Sequence, residues 1–150
     1  MNEKLLRLLI ERATRQREDA ARELVQARQE HENAHRVLGT LNDYRSQSLE
    51  RGPVRNQVIT DTQRLAIAGQ FDRRLVAAIE QQTAQTRVRA MTVDDRQKNA
   101  TQAYQRLKAL EAISHRRQQR ESAATARREQ RLLDEFATDQ AARRQEEPAR

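Results

Sequence analysis

The sequence predicts an all-α protein, a two-helix antiparallel coiled-coil hairpin whose longer C-terminal helix overhangs the first. Three observations carry this expectation. The only Gly-Pro step, Gly52-Pro53, sits in a stretch (Ser46 to Thr60) flanked on both sides by sequence that reads as helix. Each flank carries an apolar seam stepping alternately by three and four residues. The composition is that of long helices rather than a round core, with 34% charged, 36% apolar and 3% aromatic residues, three glycines and two prolines.

The elements follow in order. Asn2 is an N-cap for a first helix expected over about 2–49. Proline lacks a backbone donor and glycine favours the conformations that end helices, so a turn is expected over about 50–60. Thr60 and Gln63 fit a capping box that restarts a helix over about 61–144. Pro148 marks a frayed tail over 145–150, and the whole, 1–150, is expected to form a single hairpin domain.

The first seam runs Leu6, Ile10, Ala13, Arg17, Ala20, Leu24, Ala27, His31, Ala34, Leu38, Leu41, Arg45 and Ser48. The second runs Ala68, Asp72, Leu75, Ile79, Gln82, Thr86, Arg89, Val93, Arg96, Ala100, Ala103, Leu107, Leu110 and Ser114. Folding back at the turn pairs Leu6 with Leu110, Ile10 with Leu107, Leu24 with Val93, Leu38 with Ile79 and Leu41 with Leu75. The large residues thus meet one another and form the expected hairpin core. Arg45 meets Asp72, while Arg17, Arg89 and Arg96 each meet an alanine that leaves room for their stems. Tyr44 and Phe71, each one position off its seam, should lie side by side on one edge.

This register brings Met1 level with about residue 115 and leaves the last thirty-odd residues without an intramolecular partner. Ser114 to Arg131 contains no large apolar residue, and it leads into Leu132, Leu133 and Phe136, an apolar cluster with nothing to bury it. Such a tip is expected to be a contact site.

Chemistry-bearing motifs are sparse. Gly39, Gly52 and Gly69 stand apart, so no phosphate-cradling loop is expected. The chain has no cysteine, which suits a cytoplasmic protein and excludes thiolate metal sites. His31 and His35 lie one turn apart, but two ligands without a third make a poor metal site. Neither an enzyme nor any cofactor is expected. No apolar run approaches the ~20 residues of a membrane span, and Leu5 to Ile10 is too short for a secretory signal. The net charge of +7 suits an acidic partner. Specific nucleic-acid binding is not expected, because the arginines are mixed with glutamates and no basic block precedes leucine heptads.

The residues resemble the FliJ family, the coiled-coil proteins of the bacterial flagellar type III export apparatus. The resemblance is carried by Asp19-Ala20-Ala21-Arg22, Leu41-Asn42-Asp43-Tyr44, Phe71 with Leu75, Ala78 and Ile79, Asp134-Glu135-Phe136-Ala137 and Ala141-Ala142-Arg143-Arg144, in that order about the turn. It implies a non-enzymatic stalk, similar to the rotor stalk of rotary ATPases. Such a stalk binds the export ATPase hexamer, promotes its assembly, couples it to the FlhA-like membrane export gate and handles export chaperones. The implied location is cytoplasmic, peripheral at the inner-membrane face of the flagellar base. The implied gate contact comprises Leu41, Tyr44, Phe71, Leu75 and Ala78. Ser48 and Gln82 depart from the family pattern, where an aromatic and a histidine occur. The ATPase is expected to contact Leu132, Leu133 and Phe136. The equivalent stalk of an injectisome and a generic parallel dimeric coiled coil are the alternatives.

Overall fold

The computed structural model describes residues 2–51 and 62–146. They form two helices, α1 (Glu3–Arg51) and α2 (Thr62–Glu146), packed against each other as a hairpin, and no strand occurs among the described residues. The Gly52-Pro53 turn, the Thr60 capping box and Pro148 lie outside the described residues. Asn2 caps α1: its side-chain Oδ1 accepts from the Lys4 amide at 3.2 Å, and its carbonyl accepts from the Leu6 amide at 3.0 Å. The side chain thereby satisfies one of the four amides that a helix start leaves without a partner, and the carbonyl closes the first turn.

The chain divides into two compact units, Met1–Ala13 with Gln105–Arg150, and Thr14–Tyr104. In the second of these the buried residues are Leu24, Ala27, Leu75 and Thr86. Leu38, Leu41, Ile79 and Val93 are half-buried beside them. No described side chain is fully enclosed, because a pair of helices can bury only the stripe along which they touch. Thr86 tolerates a seam position because its hydroxyl donates to the Gln82 carbonyl one turn back, at 2.8 Å. Gln82 in turn donates from Nε2 across the interface to the Ala34 carbonyl at 3.0 Å.

Charged side chains finish the packing of this unit at its edges. Arg96 reaches Glu23 at 2.9 Å, Arg89 pairs with Glu30, and Arg28 donates to Gln97 at 2.8 Å. The guanidinium of Arg17 lies 6.0 Å from the centre of the Tyr104 ring, a cation–π arrangement. The arginines in the seams therefore carry their charged heads to an acid or an aromatic face at the edge of the interface.

In the other unit Leu6, Ala13 and Leu107 are buried, with Ile10, Leu110 and Ser114 half-buried around them. Arg117 donates to Glu121 at 2.8 Å. That bond, then the charge of Glu121 and lastly that of Glu3, raise the Arg117 guanidinium above its ordinary pKa against a partial offset from burial. From Gln118 to Glu146 every residue of α2 is exposed.

Candidate functional site

Within the Thr14–Tyr104 unit, adjacent positions on α1 and α2 build a short ladder of cross-helix contacts. Leu41, half-buried, precedes Tyr44 on α1 by one turn, and Leu75, buried, follows Phe71 on α2 by one turn. The Tyr44 and Phe71 rings meet edge to face, centroids 6.1 Å apart and planes at 74°. That is the preferred geometry for two aromatic quadrupoles. They are nonetheless 55% and 43% exposed, so the contact leaves much of both rings open to solvent.

The neighbouring residues hold this pair in place. Arg45 donates to Asp72 through Nε at 3.1 Å and Nη2 at 3.4 Å, a two-point grip between planar groups. The bond to Asp72, and then its charge, raise the Arg45 guanidinium above its ordinary pKa. Because Arg45 follows Tyr44 and Asp72 follows Phe71, the ion pair sets the register of the two rings.

Of the five residues expected from the sequence only Tyr44 and Phe71 are exposed, Leu41 and Ala78 being half-buried and Leu75 buried. The exposed apolar surface nonetheless extends to two further residues. Ile67, one turn before Phe71, and Val37, two turns before Tyr44, are both exposed. At about 100° per residue Ile67 shares a face with Phe71 and the half-buried Ala78, and Val37 shares one with Tyr44. The signal for these two was available: each is an apolar residue off the seam at helical spacing from an off-seam aromatic.

The second set of expected contact residues belongs to the other unit. Leu132, Leu133 and Phe136 are each about two-thirds exposed, and helical spacing groups them on one side of α2. Around them Gln130 donates to the Asp134 carboxylate at 3.0 Å, and the Thr138 hydroxyl to the Asp134 carbonyl at 2.7 Å. Polar groups nearby are thus satisfied within the helix, while the apolar ones are not covered.

The two histidines expected to lie one turn apart stack with centroids 6.3 Å apart. Among the described residues no group of three or more His, Cys, Asp or Glu side chains converges on a point. No helix among them is long and apolar enough to cross a membrane.

A paired-helix scaffold that presents apolar and aromatic strips on its flank, and an uncovered apolar group farther along one helix, is an interaction protein by construction. The chain belongs to the FliJ family: the family model described as flagellar FliJ protein matches residues 3–146. It is accordingly a component of the flagellar type III protein export machinery, in a family of non-enzymatic, structural or chaperone-like members. Neither the curated proteins nor the solved structures give a match.

Proposed function

We propose that this chain is the non-enzymatic stalk of the flagellar export apparatus. It binds the export ATPase hexamer, promotes its assembly and activity, couples it to the FlhA-like export gate and handles export chaperones. It works in the cytoplasm, peripheral at the inner-membrane face of the flagellar base and held there through its partners. Leu41, Tyr44, Phe71, Leu75 and Ala78 make the gate contact, and Leu132, Leu133 and Phe136 make the ATPase contact.

The observation that supports this reading best is the edge-to-face Tyr44–Phe71 pair, held half-exposed by the Arg45–Asp72 grip. Aromatic rings already ordered on a rigid helix pair bury large area on binding while losing little side-chain entropy. A pair serving only the hairpin would be expected to be covered by it. Tyr44→Ala with Phe71→Ala is the test, read by binding to the purified cytoplasmic part of the export gate and by thermal melting. The expected outcome is a loss of affinity of about tenfold or more with a melting midpoint within a few degrees of wild type. A large fall in midpoint with unchanged gate affinity would show that the pair is structural.

A further inference from the structure

The two sides of the interface in the Met1–Ala13 and Gln105–Arg150 unit differ in chemistry. One groove is lined by Glu3, Arg7 and Glu11 of α1 with Arg117, Gln118 and Glu121 of α2, and there the charges neutralise one another. Arg7 pairs with Glu3 at 3.3 Å, and Arg117 with Glu121. The opposite groove is lined by Leu6, Ile113, Arg116, Arg117 and Arg120, with no acid among them. On this side α1 presents Leu5 and Leu9, since helical spacing sets them across Leu6 from Glu3 and Arg7. Leu8 and Arg12 continue the surface around the back of α1. Leu5, Leu8 and Ile113 are exposed, and none of Arg12, Arg116 and Arg120 has an ion pair among the described residues. The cationic character extends along α2, where Arg116, Arg120, Arg127 and Arg131 fall within roughly 60° of its circumference.

We infer that Leu5, Leu8 and Ile113 with Arg12, Arg116 and Arg120 form a docking surface for an anionic lipid bilayer. Exposed aliphatic residues bordered by unpaired guanidinium groups, with acids segregated to the opposite groove, match the interfacial layer of such a membrane. The leucines and isoleucine enter the boundary between headgroups and acyl chains. The arginine stems lie along that boundary and deliver their charges to lipid phosphates, which accept from guanidinium groups in pairs. A second copy of the chain is a poor occupant, because this face and the net charge of +7 repel their like. The surface is distinct from Leu132, Leu133 and Phe136, which helical spacing places on another side of α2. Such a contact with lipid would add to the attachment through protein partners proposed above.

Co-sedimentation of the full chain with vesicles tests it, comparing pure phosphatidylcholine with phosphatidylcholine containing about one part in three phosphatidylglycerol. Binding is expected only to the anionic vesicles, and it should fall steeply with added salt. Arg12→Gln with Arg116→Gln and Arg120→Gln should weaken it on the order of tenfold or more. Removing three exposed arginines of the other unit, Arg73→Gln with Arg74→Gln and Arg87→Gln, should cost much less. Leu8→Ser, alone and together with Leu5→Ser, should weaken binding at unchanged charge and unchanged helix content by circular dichroism. Equal losses from the two arginine triplets would reduce the effect to net charge and overturn the inference. So would insensitivity to both leucine variants, absence of vesicle binding, or capture of polyglutamate by this face with none of the vesicles.

Discussion

Arg45 occupies a seam position where an apolar residue would ordinarily sit, and Asp72 across the interface accounts for its presence there. Both side chains keep at least a third of their surface in solvent, so the pair contributes modestly to stability and acts chiefly on register. Asp72→Ala should therefore lower the thermal midpoint by less than Leu24→Ala does, as read by circular dichroism melts. The exchanged pair, Arg45→Asp with Asp72→Arg, should recover most of that loss; failure to recover would show that the grip is not the cause. Since the guanidinium pKa is raised, its share of stability is fully present below the ordinary arginine range. It is lost only as strong alkali titrates the group, so melts between neutral and mildly alkaline pH should not change on its account. Arg45–Asp72 and Tyr44–Phe71 were legible in the sequence because each partner lies on its seam or one residue off it. The links from Arg96 to Glu23, Arg89 to Glu30 and Arg28 to Gln97 were not. Long side chains reach diagonally past the residue opposite, and acids and bases are so evenly mixed that many such reaches look equivalent.

Each helix as an element is held by a stripe, and the stripe was readable in advance because packing against a single partner imposes a 3.5-residue period. Every named position of the first seam except Arg17 is buried or half-buried, as is every position of the second except Arg89. Those two exceptions are arginines whose heads go outward to Tyr104 and Glu30. The consequence can be measured with neighbouring residues. Leu24 is 8% exposed and Val25 is 55% exposed, so the same substitution meets opposite environments one residue apart. Leu24→Asp should lower the melting midpoint strongly, since it removes burial and places a carboxylate in the stripe. Val25→Asp should change it little. Comparable midpoints for the two variants would mean that the stripe is not what holds α1. In α2 the buried pattern stops after Arg117, and from there intrinsic propensity and bonds such as Arg117 to Glu121 support the helix.

For the molecule as a whole, the division of labour between contact sites can be tested by shortening the chain. A form ending at Arg131 loses Leu132, Leu133 and Phe136 but keeps every buried residue. It should retain the melting behaviour of the hairpin and lose the proposed stimulation of the export ATPase, measured as phosphate release. Undiminished stimulation would move the ATPase contact elsewhere on the chain. Membership of the flagellar export family was legible because weak motifs recur in order across nearly the whole sequence, and the family match covers residues 3–146. The full extent of the exposed strip was less so. Val37 and Ile67 carry a signal in their helical spacing from Tyr44 and Phe71, but it is weak, because single apolar residues off the seam are common on helix surfaces.

The Gln82 bond to the Ala34 carbonyl and the Arg45–Asp72 grip also bear on what happens when the two helices of their unit are pulled past each other. Glu23 and Glu30 are one heptad apart, as are Arg89 and Arg96, so a slide of α2 by one heptad in one direction merely hands Glu30 from Arg89 to Arg96. Arg45 has no such second choice: a slide either way sets Leu65 or Ile79 in place of Asp72. The repeating pairs act like identical teeth, which tolerate a skipped notch, and Arg45–Asp72 acts like a key cut for one notch. Axial load carried by this unit is therefore resisted most specifically beside Tyr44 and Phe71, and a slide by one heptad would part those rings together with the Arg45–Asp72 pair.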